Sequence, residues 1–315
     1  MDFLTLYVVI LIGFGLCFIV QTGVTILSFS QVSLRQKYPL FLMTFMAKCG
    51  ISFGGFMRSA VYIQLIRLNM FCTKIALYEC FYHVHGIVTE LSFFYHAEMS
   101  LLVAIECLLV ILGEKNYEQW WRPFFSWYTG VFFFLLNLVV FWVCILHQTT
   151  MGSAFVYNHC KLQLYSVQLP MSGYISFLLF CQTMTIIICT FTVWLILKKR
   201  RLLSHQCGPK WHGEPGATWD REMNISLYNL VVAFLHLLYY GITRYTFAVL
   251  PKTKSARLLS EKFSEGILIQ DLASMSEMFI TVSFILMTPV YSLLVIFFRG
   301  NVDNIIELGH ALDGE

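Results

Sequence analysis

Seven apolar stretches recur along the 315-residue sequence, and each is long enough to cross a lipid bilayer as an α-helix, which needs roughly 20 apolar residues. Only 12% of the residues are charged, about half the fraction in a typical soluble domain. The pattern therefore predicts an all-α, polytopic membrane protein that forms a single domain over 1–315. The predicted spans are 4–29, 39–63, 84–111, 123–146, 171–197, 227–250 and 275–298, with a short cytoplasmic tail at 299–315.

Composition and motifs argue against several classes of protein. The net charge of +3 is too small to indicate nucleic-acid binding, and the sequence has no glycine-rich phosphate loop. It has no Cys-x-x-Cys or His-Glu-x-x-His spacing, so neither a metal site nor a cofactor is expected. No aspartate lies within the core of a predicted span, and no serine-hydrolase or zinc signature occurs, so we do not expect an enzyme.

Basic residues predict the orientation in the membrane. The first apolar stretch has no basic segment before it and is too long for a signal peptide, so we expect an uncleaved first helix with almost nothing preceding it. The cluster Lys198-Lys199-Arg200-Arg201 follows the fifth span directly, which places that loop in the cytosol and the N-terminus outside. The sequon Asn224-Ile225-Ser226 would then face the cytosol; in the inverted orientation it would be lumenal and open to glycosylation.

Three cysteines near the outer face are candidates for a disulfide bond. Cys80 lies at the outer start of the third span, and Cys160 lies in the loop after the fourth. A bond between them would tether that loop over the helix bundle, in an oxidising environment that permits it. Cys72 is the alternative partner of Cys160, and the third interpretation is that these loop cysteines are unpaired.

Four ionisable residues fall inside the second and third spans. Because the two helices run antiparallel, Lys48 and Glu98 have similar inner-middle depths, and Arg58 and Glu90 have similar outer depths. An unpaired charge inside a membrane is costly, so the sequence predicts Lys48–Glu98 and Arg58–Glu90 ion pairs. The alternative is that the two basic side chains extend toward the membrane surfaces.

The outer half of the bundle carries the candidate ligand-binding residues. Spacings of four and seven place Glu79, His83 and Glu90 on one helical face at the outer mouth, where a carboxylate–imidazole group could bind an amine. The alternative is that these groups face each other or a loop. His96, deeper in the helix, is expected to be a hydrogen-bonded structural residue. An aromatic cavity for a small organic molecule could be lined by Tyr239, Tyr240 and Arg244 of the sixth span with Tyr174 and Phe177 of the fifth.

Two motifs suggest a family. The run Glu106-Cys107-Leu108-Leu109-Val110, followed by Lys115-Asn116-Tyr117-Glu118, resembles the Glu-Arg-x-x-Ala-Thr…Lys-Asn/Asp-Tyr-Glu pattern of the nematode serpentine chemoreceptors of the Sra superfamily, class a or e. Thr288-Pro289-Val290-Tyr291 is similar to their broader Asn-Pro-x-x-Tyr motif. The resemblance implies a bundle of the G-protein-coupled receptor type that detects a small odorant or pheromone from the outer face. It also implies a heterotrimeric G protein as partner and the plasma membrane of sensory neurons or their cilia as location.

The sequence departs from this pattern at two positions. Cys107 stands where the family has arginine, and Thr288 stands where the broader motif has asparagine. Activation would then depend on inner-face groups other than Cys107. The candidates are Glu106, Tyr117, the basic residues Lys198, Lys199, Arg200 and Arg201, and the Pro289 and Tyr291 positions of the seventh span.

Two other functional classes remain open at this point. A ligand-gated cation channel with an inverted seven-span topology would place the N-terminus inside. A transporter would typically show inverted repeats and broken helices, which the sequence does not show.

Overall fold

The computed structural model describes residues 3–30, 32–70, 73–76, 79, 83–113, 122–150, 155–157, 169–207 and 214–248. This part of the chain is almost entirely helical. The helices are α1 (Phe3–Ser30), α2 (Val32–Lys37), α3 (Pro39–Arg67), α4 (Val84–Leu112), α5 (Arg122–Thr150), α6 (Leu169–Cys207) and α7 (Glu214–Ala248). Two three-residue strands complete it, β1 (Lys74–Ala76) and β2 (Phe155–Tyr157).

Five of these helices are long and apolar enough to cross a membrane, which fits the predicted all-α membrane protein. They are α1, α3, α4, α5 and α6, and they coincide with the first five predicted spans. The sixth predicted span, 227–250, overlaps α7, whose apolar segment Glu222–Leu238 is shorter than a membrane span. The seventh predicted span, 275–298, lies outside the described residues.

Local chemistry sets the helix boundaries that the sequence predicts well. Pro39 opens α3, where its fixed φ suits a helix and its missing N–H leaves no hydrogen bond unmade. Gly113 follows α4 with φ of 92°, a left-handed conformation that glycine adopts without steric cost. The start of α4 is set by His83, whose extended backbone (φ −75°, ψ 106°) ends any helix before it.

The central element is α4, which packs against α3, α5, α6 and α7, while α1 packs on the far side of α3. Small residues allow the closest approach, because Gly54 of α3 lies directly against the backbone of Thr89 on α4. Large apolar side chains of α1 and α5 point away from the bundle, among them Ile19, Phe132 and Trp142. These two helices therefore present apolar faces suited to lipid.

The two strands join the loop after α3 to the loop after α5. They pair antiparallel, with Lys74 opposite Tyr157 and Ala76 opposite Phe155. Both loops therefore meet at one end of the bundle, as expected when successive spans alternate in direction. The predicted Cys80–Cys160 bond and its Cys72 alternative lie outside the described residues, so the disulfide stays a prediction.

Candidate functional site

The interior of the bundle is polar along one face of α7. Side chains at spacings of four and three residues lie on the same face of a helix, and this face of α7 is buried from Glu222 to His236. Its members are Glu222, Ser226, Asn229, Ala233 and His236. Phe234 and Leu238, on the other side of the helix, are exposed. The helix thus turns its polar groups inward and its apolar groups toward lipid.

A matching face of α6 packs against α7. Its residues are fully buried, at 0% exposure, and follow the same spacing: Leu178, Gln182, Thr185, Cys189, Thr192 and Ile196. Thr185 and Thr192 donate their hydroxyl protons to carbonyl oxygens one turn earlier, at 2.8 Å in each case. Gln182 is therefore the member of this face whose polar group reaches across to another helix.

A pair of histidines joins three helices at the centre. The ring centres of His96 on α4 and His236 on α7 are 4.8 Å apart, with the planes at 70°. Gln182 Nε2 lies 3.3 Å from His236 Nδ1, and Ser100 Oγ lies 3.4 Å from His96 Nδ1. His96, which was expected to be a structural residue, thus contacts Ser100 and His236.

Lys48 brings a cationic side chain from α3 into the same interior. The residue is fully buried, and its Nζ lies 4.0 Å from the centre of the Tyr228 ring and 5.6 Å from that of Phe45. It is close enough to interact electrostatically with both imidazoles of the histidine pair. No group in the described part of the chain hydrogen-bonds Nζ. We call Lys48, His96, Ser100, Gln182, Ser226, Tyr228, Asn229 and His236 the polar core.

The predicted Lys48–Glu98 ion pair is wrong. The Glu98 carboxylate accepts a hydrogen bond from Asn137 Nδ2 on α5, and Asn137 also donates to the Phe133 carbonyl at 2.9 Å. Similar predicted depths in the membrane do not bring two side chains together when they point in different directions around the helix axes. Glu98 faces α5, whereas Lys48 faces Tyr228 on α7.

The predicted Arg58–Glu90 pair stays a prediction. Glu90 is buried and Arg58 is half-buried, and each has interactions with other groups. Arg58 lies near enough to interact electrostatically with His85, which precedes Glu90 by five residues on α4.

The predicted alignment of Glu79 with Glu90 on one helical face is wrong, and the ligand-binding role of Glu79 stays a prediction. Because α4 begins at Val84, Glu79 is not part of the continuous helix that carries Glu90, and helical spacing does not align them. Glu79 is exposed, His83 is half-buried and its ring lies 5.3 Å from that of His85. Phe177, expected to line an aromatic cavity, is 42% exposed in the described structure.

The remaining predicted outer residues are located only in part. The backbones of Tyr239, Tyr240 and Arg244 belong to α7 and that of Tyr174 to α6, but their side chains lie outside the described structure. Their role in ligand binding therefore stays a prediction.

Three contacts between helices, two of them buried and one partly buried, lie at the end of the bundle that is predicted to be the inner one. Tyr38, just before α3, donates its hydroxyl proton to Glu222 Oε1 of α7 at 3.0 Å. Ser126 of α5 donates to the Glu106 carboxylate of α4. Lys199 of α6 donates to the carbonyl oxygen of Ile111, a last-turn carbonyl of α4 without an intrahelical partner.

These contacts locate the predicted inner-face residues. Glu106 and Cys107 are both buried, so neither presents its side chain to the cytosol in this conformation. Lys198 is exposed and its Nζ lies 5.1 Å from the Trp194 ring centre. Arg200 is half-buried and Arg201 is exposed. Tyr117, Pro289 and Tyr291 lie outside the described residues.

Sequence reasoning missed most of the polar core and its inner contacts. The missed residues are Ser100, Ser126, Asn137, Gln182, Glu222, Ser226, Tyr228, Asn229 and His236. The signal was present, because polar residues at alternating spacings of three and four mark one helical face within an apolar span. Such residues in a membrane helix face the protein interior and are functional candidates.

Substitutions at Asn137 and Glu98 test whether these two side chains are hydrogen-bond partners. Replacing Asn137 with leucine leaves a buried carboxylate without its donor, so we expect a loss of about 1–3 kcal/mol of stability. Thermal melting of the detergent-solubilised protein measures it, with Val139→Leu on the exposed side of α5 as the control. The double variant Asn137→Leu/Glu98→Leu should recover most of the loss. No recovery would show that the two side chains are not partners.

Comparison with known proteins assigns no family. No protein-family model matches the chain, and a search of curated proteins found no significant match.

Proposed function

We propose that this chain is a G-protein-coupled chemosensory receptor of the plasma membrane. It would span the membrane seven times, with its N-terminus outside, and bind a small odorant-like or pheromone-like molecule. Five described helices are long and apolar enough to cross a membrane, and the proposal assigns the sixth and seventh spans to α7 and to the apolar stretch 275–298. The proposal also draws on the short motifs that resemble serpentine chemoreceptors.

The observation that carries the proposal is the polar core inside an otherwise apolar bundle. Polar side chains within membrane helices are costly, and they mark functional positions more often than chance. Here they join α3, α4, α6 and α7 through His96, Gln182, His236 and Lys48. A ligand that inserts among these groups changes the contacts between four helices at once.

The inner contacts suggest how binding would reach the cytosol. The Tyr38–Glu222 hydrogen bond ties the inner end of α7 to the start of α3, and the α7 polar face runs from Glu222 up to His236. A ligand that favours a different position of α7 at His236 would therefore weaken the Tyr38–Glu222 contact. The receptor would shift between two pre-existing arrangements, with the ligand's preference for one of them setting the response.

The basic end of α6 is the proposed G-protein contact. Lys199 is occupied by the Ile111 carbonyl, whereas Lys198 and Arg201 are exposed. Trp194 and Trp219, beside Lys198 and Lys199, have the amphipathic character typical of the membrane–water interface. Displacing α6 from α4 would free Lys199 as well and enlarge the basic surface.

Two measurements test the proposal. A C-terminal epitope tag should be detected only after cells are permeabilised, and exposed Asn224 should carry no glycan. Cells expressing the chain should then activate a co-expressed G protein when a panel of small odorant-like and pheromone-like molecules is applied, and cells with an empty vector should not. A tag exposed on intact cells, with Asn224 glycosylated, would contradict the receptor topology and favour the inverted channel.

A further inference from the structure

Lys48 places an amine in the interior of the bundle that no described group hydrogen-bonds. Its side chain is fully buried, and its Nζ lies near the rings of Tyr228 and Phe45. Ring faces attract a cation, but they replace only part of the hydration that an ammonium loses on burial. Three N–H donors need acceptors, and none in the described part of the chain hydrogen-bonds them.

Three of the buried carboxylates accept hydrogen bonds from other side chains. Glu98 accepts from Asn137, Glu106 accepts from Ser126, and Glu222 accepts from Tyr38. None of the three hydrogen-bonds Lys48. A buried cation in such a position is costly unless an anion accompanies it.

Further donors in the polar core are also without partners. Ser226 Oγ and Asn229 Nδ2 on α7 flank Tyr228 in sequence, are buried, and have no hydrogen-bond partner among the described groups. His96 Nε2 is likewise buried and unpartnered, and Gln182 contributes one unpartnered acceptor, Oε1. Lys48 Nζ and Asn229 Nδ2 can only donate, and Ser226 Oγ can donate as well, so an acceptor-only ligand would satisfy all three.

We propose that the polar core binds one small anion beside Lys48, and that this anion is the carboxylate group of a small organic acid. The second half of the statement rests on the proposed receptor function, since the acid would be the signalling ligand. A carboxylate offers two oxygens and supplies both the missing charge and the missing acceptors. The apolar surroundings formed by Phe45, Phe93 and Tyr228 suit a short hydrocarbon chain.

The test is thermal melting of the purified full-length protein in detergent, in a buffer free of chloride and carboxylates. Sodium acetate, butyrate and hexanoate are the probes, with sodium chloride and the neutral hexanamide as comparisons. A carboxylate present at 100 times its Kd should raise the melting temperature by about 5 °C. The rise should be saturable, absent with hexanamide and absent in Lys48→Met. Lys198→Met, which removes an exposed lysine from α6, should retain it.

A second readout needs no ligand. Lys48→Met keeps the length of the side chain and removes the uncompensated amine, so the anion-free variant should melt at a higher temperature than the wild type. A lower melting temperature would overturn the proposal, because it would show that Lys48 already has a stabilising partner within the chain.

The remaining outcomes distinguish a carboxylate site from a general anion site, and they distinguish failure of the anion site from failure of the receptor function. An equal rise with chloride and hexanoate that Lys48→Met removes would support the anion site and overturn the carboxylate assignment. No rise with any anion would overturn the site itself. Signalling by neutral molecules without an anion effect would leave the receptor function standing and refute the inference. Anion binding without any G-protein response would leave the anion site standing and refute the receptor function.

Discussion

Replacing Gly54 with valine is expected to abolish the folded bundle. A Cβ atom at this position would lie 2.9 Å from the backbone nitrogen of Thr89 and 3.1 Å from its Cα. Backbone atoms of a neighbouring helix cannot rotate away as a side chain can, so α3 and α4 would have to separate. Because α4 contacts α3, α5, α6 and α7, the separation would disturb the whole interior.

A graded series measures the effect. Gly54→Ala should cost about 1–3 kcal/mol, the usual range for overpacking, and Gly54→Val should reduce cell-surface expression to background. Gly23 on α1 is the matched control, because a Cβ there would meet nothing within 4 Å. Gly23→Ala and Gly23→Val should both reach the surface at wild-type levels. Normal expression of Gly54→Val would contradict the close approach of α3 and α4.

The positions of the helices along the chain could be predicted from the sequence. Apolar length and local boundary residues determine them, so the predicted starts at Pro39 and Val84 are confirmed and the predicted end at 111 differs from α4 by one residue. These features depend on residues within the helix itself, and no knowledge of the neighbouring helices is needed.

The neighbours of each helical face could not be predicted in the same way. A rise of 1.5 Å per residue gives only an approximate depth, and Gly50 and Gly54 of α3 lie against Ser92 and Thr89 of α4, a register that does not place Lys48 opposite Glu98. Which way each side chain points is decided by packing, above all by where small residues such as Gly54 let two helices approach. Glu98 consequently meets Asn137, a residue that no rule of spacing connects to it.

The polar core was predictable in part, because its residues follow a pattern in the sequence but its contacts between helices do not. The buried polar face of α7 follows a regular spacing from Glu222 to His236 and could have been found within one span. Its contacts with His96 and Gln182 depend on how α4, α6 and α7 pack together. The sequence therefore contained the polar residues of the candidate site, and the fold determined how they are combined.

Removing the Tyr38 hydroxyl group is expected to raise signalling in the absence of ligand, if the chain acts as the proposed receptor. The hydroxyl donates to Glu222 Oε1 at 3.0 Å, and both residues are buried. A hydrogen bond to a carboxylate contributes about 1.5–3 kcal/mol. If only the inactive arrangement makes this bond, Tyr38→Phe shifts the equilibrium toward the active one by about 10- to 100-fold.

G-protein activation in unstimulated cells, normalised to surface expression, measures this shift. Tyr128→Phe makes the same chemical change at a side chain on α5 that is 69% exposed, and it should leave basal signalling unchanged. Glu222→Gln keeps the size of the acceptor and weakens the bond, so its basal signalling should lie between those of the wild type and Tyr38→Phe. Reduced expression of Tyr38→Phe with unchanged basal signalling would mean that the contact stabilises both arrangements equally. The Tyr38–Glu222 bond would then hold the fold together without controlling the movement of α7.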